Sequence, residues 1–188
     1  VALAALQEGV IDTSTQFRCG YTYYNADMPD FHPLCMGTHG YLNVIEALTV
    51  SCNIFFYDTG YNLGIDNMNL YQRKLGLGEL TGVEIYESDG TLAGPDEKED
   101  WYGGDTIMAA IGQSDNLITP VQLATYAATI ANNGTRLRTH VVDKITDYSR
   151  QTVLEETKPE VVEENIFDQE VLETVKGAMR NVVTSPSG

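Results

Sequence analysis

Apolar residues recur every three or four positions in several stretches of this chain, which is the spacing of one helix face. Capping residues mark two of the starts, since Asn43 is followed by Glu46, and Thr119 is followed by Pro120 and Gln122. The predicted helices lie within residues 1–7, 43–64 (as two consecutive helices), 66–75, 119–133 and 165–182. Asp66 is the expected N-cap of the third stretch.

Strands are predicted only in short pieces. Residues 136–146 alternate and are rich in β-branched side chains, a turn follows at 147–150, and 152–154 would return as the second strand of a hairpin. The alternation at 81–86 predicts one more short strand. The pattern as a whole therefore predicts a mainly α fold with a small β-hairpin.

Three segments have no clear period. Residues 17–41 hold several aromatic side chains between Gly and Pro residues, so we interpret them as a packed irregular loop that could contain a short hairpin. Residues 87–104 form an acidic solvated loop that lacks the alternating ligands of a calcium site. Residues 158–164 are interpreted as an acidic linker.

The polar triplet Ser51-Cys52-Asn53 interrupts the most apolar of the helical stretches, between Leu48 and Phe55. A hydroxyl and an amide set into an otherwise buried surface need hydrogen-bond partners. Ser51 and Asn53 could cap helix ends or satisfy nearby backbone groups. They could also belong to a catalytic site, and the residues around them bear on that choice.

Ser51-Cys52-Asn53, followed by an aromatic-rich run and Gly60, resembles the second active-site motif of the penicillin-binding proteins, the serine D,D-transpeptidases that cross-link peptidoglycan. Their superfamily carries three motifs, Ser-x-x-Lys, Ser-x-Asn and Lys-Thr-Gly. The stretch from Ala110-Ile111-Gly112-Gln113 to Asn133-Gly134 resembles the family's helix after the active-site cleft. Residues 1–9 resemble the end of the helix that carries the nucleophilic serine.

The chain also departs from the family pattern, because it contains no Ser-x-x-Lys and no Lys-Thr-Gly. The resemblance implies that these motifs lie just before Val1 and just after Gly188. Residues 1–188 would then be a single, partial transpeptidase domain. We expect the helical lobe of the α/β transpeptidase fold, with its central five-stranded sheet absent, and we expect no turnover and no penicillin adduct from these residues alone.

The resemblance implies a role for each polar residue of the triplet. Ser51 would relay a proton between the lysines of the other two motifs, and Asn53 would offer its amide to the D-Ala-D-Ala stem peptide or to a β-lactam antibiotic. Gly112 and Gln113 are expected to hold the cleft helix, rather than to contact substrate. No cofactor and no metal is implied. The parent would be a bacterial class B enzyme, anchored in the membrane and facing outward.

Other functions fit the same residues. A β-lactamase or a D,D-carboxypeptidase of this superfamily would use water as the acceptor, and a penicillin-sensing receptor domain would use acylation as its signal. An acidic, non-catalytic binding domain would need Ser51 and Asn53 only as caps.

Charge and hydropathy argue against two classes of binding partner. Asp and Glu total 27 against 11 Lys and Arg, for a net charge of −16. Nucleic acid and anionic membrane surfaces require a basic footprint, so neither is an expected partner. No apolar run approaches the roughly 18 residues that a membrane span needs, so a membrane anchor would lie outside these residues.

Three cysteines leave at least one unpaired. Cys52 is predicted to be a buried thiol among apolar neighbours. Cys19 and Cys35 could form a disulfide, worth about 3 kcal/mol on the loop-entropy model, or remain two free thiols. Together with His32 and His39 they could also bind zinc, although their spacing fits no standard zinc finger. The three histidines match no catalytic position of the family.

Overall fold

The computed structural model describes residues 1–188. The helices are α1 (Ala2–Gln7), α2 (Val44–Thr49), α3 (Asn53–Leu63), α4 (Ile65–Lys74), α5 (Gly103–Ala110), α6 (Pro120–Ala131) and α7 (Gln169–Thr184). The strands are β1 (Phe17–Cys19), β2 (Gly40–Leu42), β3 (Arg136–Leu137), β4 (Lys144–Thr146), β5 (Val153–Glu156) and β6 (Val161–Glu163). The fold is mixed α/β, so the prediction of a mainly α chain with one hairpin was too simple.

The strands form three separate two-stranded antiparallel sheets, β1-β2, β3-β6 and β4-β5. The predicted hairpin is confirmed in β4 and β5. A single strand over 136–146 was wrong, because β3 covers only two residues and then pairs with β6. Strand β6 was not predicted, because it is a short strand within the segment that we interpreted as an acidic linker.

The predicted strand at 81–86 is a loop. Gly82 has a left-handed φ of 84°, and the carboxylate of Glu87 accepts hydrogen bonds from the backbone N–H groups of Thr81 and Gly82, at 3.0 and 2.8 Å. A side chain therefore takes the place of a partner strand here.

Helix α3 lies at the centre of the core. Its Phe55 and Tyr57 are almost fully buried, and it packs against α5, α1 and β1. A β-carbon at Gly60 would overlap the β-carbon of Ala110, so glycine allows α3 and α5 to approach closely. Helices α2 and α7 pack against each other beside this centre.

The helix ends follow local sequence rules at most positions. The capping boxes predicted at Asn43 and Thr119 are both present. Gly64 rather than Asp66 is the N-cap of α4, and Asp66 lies in the first turn, where a carboxylate is also favourable. Helix α5 was missed because it begins with Gly103 and Gly104, which have low helix propensity.

No helix of the structure combines the length and the apolar character that crossing a membrane would require.

Candidate functional site

Ser51 occupies the tight turn that joins α2 to α3. The N–H of Ser51 donates to the carbonyl of Leu48 at 3.3 Å, and the N–H of Cys52 donates to the carbonyl of Ala47 at 2.9 Å. These two bonds are the pair that closes a Schellman motif at a helix C-terminus. Ser51 holds the position of that motif where glycine is usual, with a left-handed φ of 53°.

The side chain of Ser51 takes no part in this turn. It is exposed, and its hydroxyl makes no hydrogen bond within the protein, whereas Ser14 and Thr119 use theirs to close local structure. A non-glycine residue in the left-handed region costs about 1–2 kcal/mol. Backbone strain of this kind clusters at active sites and ligand clamps, although five other non-glycine residues of the chain also have a positive φ.

Asn53 is the first residue of α3 and is half-buried. Its Nδ2 donates to the backbone carbonyl of Leu34 at 3.3 Å, and the hydroxyl of Tyr57 reaches the same carbonyl at 3.4 Å. The N-cap of α3 is Cys52, with no side-chain capping bond. Neither Ser51 nor Asn53 is therefore a helix cap, although Asn53 does satisfy a nearby backbone carbonyl.

Ser51 and Asn53 line one cavity of about 350 Å³. Its walls are largely apolar and include Phe56, Met68 and Ile111. An apolar, partly enclosed wall strengthens the electrostatic effect of the few polar groups it surrounds. The two residues that the sequence singled out thus share a site suited to orienting a small polar substrate group.

Directly beneath this turn lies a cluster of sulfur and imidazole groups, which we call the sulfur cluster: Cys19, Cys35, His39 and Cys52. Their donor atoms all lie within 4.8 Å of one another. Cys35 Sγ is 3.9 Å from Cys52 Sγ and 3.6 Å from His39 Nδ1, which in turn is 3.5 Å from Cys19 Sγ. The β1-β2 pairing sets Cys19 opposite Gly40, which brings His39 alongside.

The sulfur groups differ in their electrostatics. Burial opposes ionisation of Cys35, but the N–H groups of Gly37, Ile54 and Asn53 donate to its sulfur and bring the pKa of this thiol below its ordinary value. Burial raises the pKa of Cys52 to about 12. Cys35 is therefore more easily ionised than Cys52, and the start of α3 stabilises its negative charge.

The sulfur cluster could hold a metal ion. Three thiols and one imidazole are a donor set that zinc adopts in tetrahedral structural sites. Of the ligands considered from sequence, Cys19, Cys35 and His39 come together, whereas His32 packs against the ring of Tyr24 at 4.7 Å. All three cysteines are free thiols, so the structure contains no Cys19–Cys35 disulfide, and Cys52 is buried as predicted.

Gly112 and Gln113 follow the C-terminal end of α5. From the sequence, these two residues were predicted to hold the cleft helix. The N–H of Gly112 donates to Ala109 and that of Gln113 donates to Met108, at 2.9 and 3.0 Å, and Gly112 has a left-handed φ of 76°. These bonds close the C-terminal end of α5, and a role of the two residues in holding the cleft helix, here α6, stays a prediction. The side-chain amide of Gln113 is exposed and makes no hydrogen bond within the protein.

Comparisons with known proteins identify the family of this chain. Residues 1–188 match the family described as the penicillin binding protein transpeptidase domain. The chain is 34% identical over 148 residues to peptidoglycan D,D-transpeptidase MrdA of Acinetobacter baumannii, covering 75% of this chain and 22% of that protein. It is 31% identical over 197 aligned positions to MrdA of Haemophilus influenzae, covering 100% of this chain and 30% of that protein.

The structure resembles a crystal structure of PBP2 from Pseudomonas aeruginosa, with a TM-score of 0.83 and 25% identity, over 100% of this chain and 43% of that one. The chain thus spans less than a third of the length of these curated relatives. The family match extends over every residue described. The chain belongs to the penicillin-binding protein transpeptidase domain family.

Proposed function

We propose that this chain is part of a longer serine D,D-transpeptidase that cross-links peptidoglycan stem peptides and is acylated by penicillin. One observation carries the proposal. The hydroxyl of Ser51 is exposed and unpartnered in a strained turn, in the same cavity as the amide of Asn53. Relatives with the name D,D-transpeptidase support the reaction class.

Acyl transfer from a D-Ala-D-Ala peptide needs a nucleophile, a base, a proton donor for the leaving amine and donors for the oxyanion. Residues 1–188 contain neither the Ser-x-x-Lys nor the Lys-Thr-Gly motif, so other segments of the parent would supply the nucleophilic serine and the lysines. We assign proton transfer to the leaving nitrogen to Ser51. The pKa of a serine hydroxyl is too high for it to act as an acid alone. Ser51 would therefore transfer the proton only while it lies between the lysines of the other two motifs.

We assign substrate orientation to Asn53. One N–H of its amide is used on Leu34, which leaves the second N–H and the amide oxygen for a ligand. Those groups match the carbonyl and N–H of a peptide backbone, or of a β-lactam side-chain amide. The bond to Leu34 fixes the direction of the amide, so little conformational freedom is lost when substrate binds.

The parent would be a bacterial, membrane-anchored enzyme of the class B type, with this domain on the outer face where peptidoglycan is built. The anchor would lie outside residues 1–188. A β-lactamase, a D,D-carboxypeptidase and a penicillin sensor remain the alternatives. The first two would transfer the acyl group to water, whereas the sensor would keep the serine acylated.

Intact-mass spectrometry of the parent protein with benzylpenicillin tests this function. We expect a stable adduct on a serine upstream of Val1, formed about 10²- to 10⁴-fold more slowly in Ser51→Ala, because general acid–base groups contribute factors of that size. Ser149→Ala is the matched control, since Ser149 is an exposed serine in the β4-β5 turn. It should react at the wild-type rate.

The outcomes separate the alternatives. Rapid loss of the adduct by hydrolysis would favour a β-lactamase, and a stable adduct without transfer to an amine acceptor would favour a sensor. If folded parent protein forms no adduct, or if Ser51→Ala reacts as fast as Ser149→Ala, the proposed function is wrong.

A further inference from the structure

A second cavity of about 780 Å³ lies on the other side of the turn that ends α5. One wall is the loop of residues 27–31, the second is the first half of α5 with Lys98 and Tyr102, and the floor is formed by Gln113 and Ser114. We call this cavity the side groove. The motifs identified in the sequence do not include its loop, and the roles assigned to Ser51 and Asn53 do not use it.

Two glycines let the loop lie directly on α5. A β-carbon at Gly103 would be 3.1 Å from the sulfur of Met28, and a β-carbon at Gly104 would be 3.3 Å from the ring of Phe31. The apolar side chains of the side groove are therefore held against the helix. This explains why α5 begins with residues that are poor helix formers, and it makes the groove a built feature of the fold.

The polar groups of the side groove fall into two sets. Asp27 accepts a hydrogen bond from Tyr61 at 2.7 Å, and Asp105 pairs with Lys98 at 2.6 Å, so these groups are already used. The carboxylate of Asp30 and the amide of Gln113 make no hydrogen bond within the protein. They remain available to a ligand.

The chemistry of the free groups defines the ligand. The amide of Gln113 can donate to and accept from a peptide backbone. Three carboxylates and a single ammonium group line the groove, and the unpaired carboxylate, Asp30, favours a positive charge. The apolar surface of Met28, Phe31 and Met108 can cover the methylene stem of a long basic side chain.

The side groove and the Ser51 cavity are neighbours. Ala110 and Ile111 line the Ser51 cavity, whereas Met108, Gln113 and Ser114 line the side groove. Both cavities thus take lining residues from the last turn of α5 and the residues that follow it.

We propose that the side groove binds the part of the peptide substrate that carries a side-chain amine, with Asp30 on the ammonium group and Gln113 on the backbone. This inference rests on the proposed function and deepens it, because it assigns a substrate feature to residues outside the Ser51 cavity. Gln113 then has a binding role in addition to its place at the end of α5.

Peptide titration of the 188-residue chain tests the proposal. The probes are N-acetyl-Lys-D-Ala-D-Ala and the same peptide with the lysine side chain acetylated. Fluorescence of Trp101 reports binding, because it is the only tryptophan and is adjacent to Tyr102 of the groove wall. The amine peptide should bind more tightly than its acetylated form by up to about fivefold, the size expected for one exposed charge pair.

Variants locate the effect. Asp30→Asn should abolish the difference between the two peptides, and Gln113→Ala should weaken both peptides alike. Asp143→Asn is the matched control, since Asp143 is an exposed aspartate beside β4, and it should keep the wild-type preference. Neither Asp30 nor Gln113 has an internal side-chain partner to lose, so all three variants should fold.

The proposal is overturned if neither peptide binds the wild-type chain, if both bind it equally, or if Asp30→Asn keeps the preference. Acylation of the parent by benzylpenicillin is independent of these results. If the parent is acylated but the chain does not discriminate between the two peptides, only the proposed role of the side groove is wrong. If the chain discriminates between the peptides but the parent is not acylated, the groove still binds peptide and the proposed transpeptidase reaction is wrong.

Discussion

Two helix ends in this molecule use polar side chains in opposite ways. At the start of α6, Thr119 and Gln122 bond each other's backbone N–H groups, and the amide of Gln122 also donates to the carbonyls of Glu79 and Asp89, both at 2.7 Å. Gln122 is completely buried. At the junction of α2 and α3, by contrast, Ser51 is exposed, strained and unpartnered.

The difference separates polar groups that build the fold from those left free for a ligand. The α6 start follows the capping rules and uses every polar atom of its two key side chains. The Ser51 turn follows the same rules only in its backbone, and it places serine where glycine would be more stable. A local rule broken without a structural gain indicates a function for the side chain.

The largest effect is expected at the α6 start. Gln122→Ala removes the donor from two partly buried hydrogen bonds to backbone carbonyls and the acceptor of the Thr119 N–H, and an unsatisfied buried group costs about 1–3 kcal/mol. We expect a loss of about 3 kcal/mol in the free energy of unfolding, measured with urea.

Gln151→Ala is its control, because Gln151 lies exposed in the β4-β5 turn, and it should change stability by less than about 0.5 kcal/mol. If Gln122→Ala were equally mild, the contrast between the two helix ends would be lost.

The next effect concerns the sulfur cluster that supports the Ser51 turn. We expect zinc to raise the free energy of unfolding by about 2.7 kcal/mol at a hundredfold excess over its dissociation constant, and a chelator to reverse this. His39→Ala should abolish the response. His32→Ala should retain it, because His32 lies outside the cluster.

Metal analysis of the purified chain provides a second readout, with one equivalent of zinc expected. Unchanged unfolding in zinc, or an equal response in His39→Ala and wild type, would show that the sulfur cluster is only a group of buried thiols.

The smallest effect is expected at Ser51. Ser51→Gly removes the strain of the left-handed conformation, but glycine also loses more conformational entropy on folding. We expect the net result to be an increase of about 0.5–1 kcal/mol in the free energy of unfolding. Ser14→Gly should instead destabilise the chain, because the hydroxyl of Ser14 donates to Asp12 at 2.7 Å. Urea unfolding of both variants tests this contrast, and a loss of stability in Ser51→Gly would mean that the hydroxyl has a structural role.

Local signals in the sequence were enough to predict much of this fold. The capping boxes at Asn43 and Thr119 and the β4-β5 hairpin depend on residues close together in the chain, and all three are confirmed. The family was identified from the motif around Ser51 and its companion stretches. The structure places Ser51 and Asn53 in one cavity, and their catalytic roles remain predictions.

Long-range features could not be predicted in the same way. The sulfur cluster exists only because β1 pairs with β2 and because α2 and α3 pack against these strands, and no local sequence pattern predicts either contact. Strand β6 follows β3 by more than 20 residues. Helix α5 starts with two glycines because the loop of residues 27–31 packs directly on them. Glycine has a low helix propensity, so the sequence alone predicted no helix here.

The measurement that tests the central claim most directly combines stability with chemistry in one variant. Ser51→Gly of the parent protein should be at least as stable as wild type, and benzylpenicillin should acylate it at least about 100-fold more slowly. That result would show that the fold gives up stability to keep a hydroxyl at this position. A variant that is less stable but acylated at the wild-type rate would contradict the account, because Ser51 would then serve the fold and not the reaction.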